Sequence, residues 1–154
     1  MSLDDLIVPS AVVADLPATS KKQVLQDLSE KAAQFCALPA REIFNILLQR
    51  ERLGSTGVGS GIAIPHGKSP LVDHIFGFFA RLARPIDFES MDGNPVDLVF
   101  MIIAPEAAGA DHLKALSRVA RFLRDPATAA RLRNARDATA LYAMMVQEPA
   151  SHAA

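Results

Sequence analysis

A single α/β or α+β layered domain is the fold that the sequence predicts, and three observations predict it. Residues 96–104 are apolar on both faces, as a strand at the centre of a sheet is. Several other segments carry apolar residues at helical spacing, which gives each a face to lay against such a sheet. The chain has 154 residues, 50% of them hydrophobic and 21% charged. That is globular composition, and a chain of this size buries roughly 70% of the surface it exposes when unfolded, enough for one core.

From the N-terminus, Ala11 to Ala14 reads as a brief strand, followed by Pro17. Ser20 opens a helix, with Gln23 three residues on as a capping box, and Val24, Leu25, Leu28, Ala32 and Phe35 form its apolar face. Pro39 suits the first turn of a second helix and Gly54 its stop. On that helix Ile43, Ile46, Leu47 and Leu53 share a face. Arg50 falls inside the apolar arc, Glu51 within its edge, and Arg52 points to the opposite side.

From Gly54 to Gly61 the chain reads GSTGVGSG, four glycines in eight residues, a loop whose backbone can take positive φ and come close to a ligand. A short run from Ile62 to Ile64 reads as a strand, and Pro65-His66-Gly67 as an exposed turn. Phenylalanine-rich Ile75 to Leu82 and Val96 to Ala104 read as strands, separated by the turn-forming cluster Met91 to Pro95. Leu113, Leu116, Ala120 and Leu123 mark a helix capped by Asp111. Pro126 starts another, and Asp137 caps a last one through Val146. One domain over 1–148 and a loose tail at 149–154 are expected.

Sixteen basic and seventeen acidic residues leave a net charge of −1, so there is no global field for nucleic acid or an anionic membrane. Cys36 is the only cysteine, which rules out an intrachain disulfide and a cysteine-built metal site. The first residues carry Asp4 and Asp5 and no basic run, unlike a signal peptide. The longest apolar run, 98–104, falls far short of the ~20 residues that span a bilayer, so a cytoplasmic location without membrane insertion is expected.

The glycine-rich stretch and the Pro65-His66-Gly67-Lys68 that follows carry the chemistry. Gly67-Lys68-Ser69 matches the end of a nucleotide P-loop, but the motif then needs glycine at position 62, which is Ile62. The dinucleotide fingerprint beginning at Gly57 and Gly59 fails at the same position. His66 is different: a neutral imidazole is a competent covalent nucleophile near pH 7, and this one has a stiff residue before it and an open one after it. The plainer alternative is a turn histidine that only hydrogen-bonds. His112 lies near a helix N-terminus, where anions are favoured, although taken alone it reads as an exposed polar residue. Ser55 and Thr56 are possible phosphate donors or ordinary turn caps. Arg50 at the end of a helix suits the dipole there without any catalytic task. Four dispersed histidines lacking metal-ligand spacing argue against a metal site.

The segment from Arg50 through the glycine-rich stretch to Ile64-Pro65-His66-Gly67-Lys68 closely resembles the active-site signature of the IIA proteins of the fructose/mannitol class in the phosphoenolpyruvate-dependent phosphotransferase system. The likeness runs from Leu6 to about Val146. Within the class it is most similar to the nitrogen-regulatory branch, from the free-standing length, the Ser20-Lys21-Lys22 helix opening and Gly67-Lys68 after the histidine. The resemblance implies an α/β fold with a mixed parallel and antiparallel sheet flanked by helices, the mannitol-type IIA fold. It places the phosphorylated histidine at His66, through its Nε2, the active-site arginine at Arg50 and the second active-site histidine at His112. Ser55, Thr56 and Gly57 are candidate phosphate-binding loop residues.

That likeness implies a phosphohistidine relay with regulatory output. An NPr- or HPr-like histidine phosphocarrier would be the donor, with no metal and no nucleotide cofactor. The regulated partners would be of the kind of potassium-transport proteins, sensor kinases or metabolic enzymes. Two readings compete with it: a sugar-specific IIA that passes phosphate to a fructose- or mannitol-type IIB domain, and a binding module whose histidine is no longer phosphorylated.

Overall fold

The computed structural model describes residues 2–152, with side chains to residue 146. The chain runs through β1 (Val12–Leu16), α1 (Lys21–Ala32), α2 (Ala40–Arg52), β2 (Gly57–Gly59), β3 (Ile62–Ala63), β4 (His66–Ser69), β5 (Phe76–Ile86), β6 (Val96–Pro105), α3 (Ala110–Arg124), α4 (Pro126–Asn134) and α5 (Ala138–His152). The strands form one sheet in the order β1-β5-β6-β3-β2, with β4 also paired to β6. β5 and β6 are antiparallel, as are β2 and β3, while β1 pairs with β5, and β3 and β4 with β6, in parallel. The sheet is mixed, as expected.

β6 is the spine. It pairs with β5 along one side; on the other it meets β3 at Leu98 and Val99 and then β4 from Ile102 onward. Between those two partners stands Pro65, which has no N–H to give to a ladder, so the strand is interrupted. Its carbonyl still accepts from Ile102 N at 2.9 Å. Every residue from Leu98 to Ala104 is fully buried, which fits a strand covered on both faces. α1 packs on α2 and reaches β5, α2 lies against β4, α3 against β6 and α4, and α5 along β1. Among the described residues no helix is long and apolar enough to cross a membrane.

Several local expectations shift. Ser20 caps α1 by accepting from Gln23 N, and Asp125 and Asp137 do the same for the helices that follow them. Pro39 is the cap residue of α2, one position before its first turn. The glycine-rich stretch is a hairpin: β2 and β3 meet through Ser60 and Gly61, at φ 59° and 81°. That pair has the φ signs of a type I′ turn, whose twist suits a two-residue hairpin. His66 lies at the start of a strand and is half-buried, where an exposed turn was expected.

Gly109 is the N-cap of α3, and Asp111 lies inside its first turn. The face of α3 that the core takes is His112, Ala115, Val119, Phe122 and Leu123, while Leu113 is 67% exposed. The expected face had followed Leu113 and missed a histidine on the buried side. α5 continues to His152, past Val146. Of the tail expected at 149–154, the side chains and the last two residues lie outside those described.

Candidate functional site

His66 is positioned by two elements. β4 fixes its backbone opposite Ile102 of β6. Its Nδ1 lies 2.8 Å from the carbonyl oxygen of Ile64. A carbonyl only accepts, so Nδ1 carries the proton and Nε2 keeps its lone pair. Sequence position alone does not choose between the ring nitrogens; this contact does.

His112 comes from the first turn of α3, where β6 hands the chain over to the helix. Its ring centroid is 5.6 Å from that of His66, with the planes at 53°. His112 is 4% exposed, and its buried Nδ1 has no hydrogen-bond partner. Such orphans are uncommon in a folded interior and call for a reason.

Arg50 arrives through the packing of α2 on β4. An added Cβ on Gly67 would lie 2.1 Å from Cγ2 of Ile46, so the absence of one is what lets α2 approach the strand this closely. Arg50 follows Ile46 by four residues, one helical turn along the same face. Its Nη1 donates to Gly54 O at 2.9 Å, and the rest of its fork of donors is not used by that bond. The guanidinium is near enough to His66 for its charge to be felt there.

The electrostatics follow from burial and these charges. The His66 pKa is lowered from 6.5, first by burial and then by the Arg50 charge, while the Ile64 carbonyl and the Glu51 charge pull the other way. The His112 pKa is lowered by burial, then by the charges of His66 and Lys68. The site therefore holds two neutral imidazoles near one guanidinium, one ammonium and the carboxylate of Glu51. With two cations against one carboxylate, the arrangement suits an anionic ligand. Among the described residues no three His, Cys, Asp or Glu side chains gather as a metal site would require.

The loop candidates are engaged elsewhere. Ser55 Oγ donates to Phe88 O at 2.9 Å and accepts from Gly57 N at 3.0 Å. Thr56, 4% exposed, donates through N and Oγ1 to the two carboxylate oxygens of Glu51, at 3.0 and 2.5 Å. These donors hold the hairpin in place. Sequence reasoning missed the group they gather around. Glu51 is 6% exposed and also accepts from Lys21 Nζ at 3.3 Å. The available signal was a glutamate at the edge of an apolar arc.

The chain has counterparts among known proteins in sequence and in fold. The model of the family described as "Phosphoenolpyruvate-dependent sugar phosphotransferase system, EIIA 2" matches residues 5–148. A nitrogen regulatory protein of Bradyrhizobium diazoefficiens is 58% identical over 153 residues, covering 99% of this chain and 100% of that one. A nitrogen regulatory protein of Escherichia coli is 44% identical over 124 residues, 80% of this chain and 76% of that one. The crystal structure of nitrogen regulatory protein IIA-Ntr from Neisseria meningitidis superposes with a TM-score of 0.89 at 32% identity, covering 93% of this chain and 98% of that one. By sequence and by structure, the chain belongs to the EIIA type 2 family of the phosphoenolpyruvate-dependent sugar phosphotransferase system.

Proposed function

We propose that this chain is a phosphohistidine carrier of the nitrogen-regulatory kind, with His66 as the acceptor. The observation that carries the reading is the Nδ1–Ile64 contact, which leaves Nε2 as the nucleophilic atom of a half-buried, neutral ring. Similarity to nitrogen regulatory proteins supports the regulatory branch.

The Nε2 lone pair attacks the phosphorus of a phosphohistidine on an NPr- or HPr-like carrier. The new N–P bond forms as the donor's N–P bond breaks, and the electron pair returns to the donor imidazole. The proton stays on Nδ1, donated to the Ile64 carbonyl, throughout, so the ring is held while its other nitrogen reacts. Charge in such a transfer spreads over the three equatorial oxygens, and positioned donors do most of the catalysis. Arg50 offers a planar fork to those oxygens, and His112 a second ring beside them. Ser55, Thr56 and Gly57 contribute by holding the hairpin that leads into His66.

The output follows from charge. Phosphorylation adds about two negative charges to a surface that had presented a neutral ring. Partner proteins that dock over His66 then meet an altered field, which is the sense in which potassium-transport proteins, sensor kinases or metabolic enzymes are candidate targets.

Incubation with phosphoenolpyruvate, enzyme I and the carrier is expected to give an acid-labile phosphate adduct that His66→Ala abolishes. Full labelling of that variant would refute the site. Efficient onward transfer to a fructose- or mannitol-type IIB domain would move the chain to the sugar-specific branch.

A further inference from the structure

We propose that Glu51 is a positioning residue of this transfer site: its buried carboxylate, acting through Thr56 and Ile64, orients the His66 ring and fixes its tautomer. The inference rests on His66 being the phosphoryl acceptor, but its main readout needs no phosphoryl donor.

The connection is continuous. The Glu51 side chain is 2% exposed and takes three donors on its two oxygens: Thr56 N, Thr56 Oγ1 and Lys21 Nζ. Thr56 O accepts from Ile64 N at 3.0 Å, which ties the strand leading into His66 to the clamped residue. Ile64 O in turn accepts from His66 Nδ1 at 2.8 Å. Each step is one hydrogen bond or one residue. The carboxylate thus anchors the peptide whose carbonyl sets the ring.

A buried carboxylate needs such company, because an uncompensated charge in an interior is costly. Lys21 supplies the countercharge, and is itself held from the solvent side by Glu89 at 2.8 Å. Four titratable or charged groups besides the ring matter at the site. Arg50 and Glu51 come from α2 with opposite effects on His66, and His112 comes from α3 with Lys68 acting on it. Glu51 is the one negative charge in that set, so its loss removes both a geometric anchor and the electrostatic counterweight to Arg50.

A purely structural clamp would change stability alone. The ring of His66 reports the difference through long-range 15N–1H correlation spectra of the free protein across a pH titration. In Glu51→Gln the side-chain shape is kept, but one oxygen becomes an NH2 that cannot accept from Thr56. The expected results are loss of the uniform Nδ1–H tautomer, a His66 titration moved to lower pH, and phosphoryl acceptance slowed roughly 10- to 100-fold. Thr56→Val, which removes only the Oγ1 donor, is expected to shift the tautomer in the same direction, and Thr56→Ser to retain more of the Nδ1–H form than Thr56→Val does. A folded Glu51→Gln protein with the wild-type tautomer and titration would overturn the proposal. Should that variant not fold, unchanged ring signals in Thr56→Val would overturn it equally. Absence of any adduct on the wild-type protein would instead sink the carrier reading and leave the ring result standing.

Discussion

His66 at the head of β4 and His112 in the first turn of α3 bring their rings to a centroid separation of 5.6 Å, tilted by 53°. Neither is paired with a carboxylate, and the pKa of each is lowered from 6.5, with burial as the first cause. A proton on His66 disfavours one on His112, while the Arg50 charge disfavours a proton on His66 and the Lys68 charge one on His112. The pair is therefore built to stay neutral until a negative group arrives. A phosphoryl group on His66, as proposed, would reverse the sign of the field, and the positive charges that disfavour a proton on the rings would then stabilise it.

This has a signed pH consequence. Both folded-state pKa values lie below the unfolded value near 6.5, so the stability these rings contribute is present above that pH. It is lost as pH falls through the lower, folded values. Asp73 and Asp92, whose pKa values are lowered from 3.8, act only in a more acidic window. Thermal denaturation between pH 7.5 and 5 should show a falling midpoint in the wild type and a flatter profile in the His66→Gln, His112→Leu double variant. Identical slopes would contradict the burial argument. Phosphoryl acceptance should likewise fall on acidification with a midpoint below 6.5, because the reactive form is the neutral ring.

His112 is expected to matter for transfer more than for folding. Its buried Nδ1 makes no hydrogen bond, so an apolar side chain of similar size forfeits nothing there. His112→Leu should change unfolding free energy by no more than about 1 kcal/mol. Phosphoryl acceptance by the same variant should slow roughly 10- to 100-fold, since a donor beside the transferring group is gone. Urea denaturation and a single-turnover transfer assay on one preparation would separate the two effects. A variant that unfolds readily but transfers normally would mark His112 as a packing residue.

Arg50 should not be replaceable by lysine. Its Nη1 is held by Gly54 O, which fixes the guanidinium plane and leaves other donors for phosphoryl oxygens. A lysine ammonium keeps the charge but cannot serve both with the same geometry. Arg50→Lys is expected to lose roughly 100-fold in transfer rate while costing about 1 kcal/mol of stability, the value of one hydrogen bond at the helix end. Wild-type transfer by this variant would show that charge alone suffices.

How much of this was legible in the sequence depends on whether a residue's environment is local. The caps at Ser20 and Asp137 need only the few residues that follow them, and they stand where the pattern puts them. β6 is legible because a central strand is apolar on both faces. The buried side of α3 was not, since His112 faces inward toward another histidine 46 positions earlier in the chain while Leu113 faces out. The glycine-rich stretch reads locally as a loop. It becomes a hairpin because β3 pairs with β6, a contact between positions 62 and 98 that no window of sequence contains. The site shows the same division. His66, Arg50 and His112 were singled out by motif, whereas Glu51 emerges only when Lys21 and Thr56 are seen converging on it.

Gly67 offers the sharpest test of how α2 and β4 build the site together. The motif reading took it as open backbone beside the histidine, but its φ lies outside the left-handed region, so conformational freedom is not what requires it. The requirement is steric. A Cβ at 67 would stand 2.1 Å from Ile46 Cγ2, while Ile46 Cβ would remain at an ordinary 3.6 Å. Gly67→Ala should therefore destabilise the protein by about 1–3 kcal/mol through overpacking. In an Ile46→Ala background the offending methyl is absent and that penalty should vanish, so a double-mutant cycle by urea denaturation should give a coupling of similar size and opposite sign. Strictly additive costs would rule the contact out. Transfer should follow the same cycle. In Gly67→Ala alone α2 is pushed off the strand, carrying Arg50 away from a chemically intact His66, and acceptance should slow. In the double variant α2 can settle back and acceptance should recover, because what the glycine protects is the distance between helix and strand, and that distance is what brings the Arg50 guanidinium near His66.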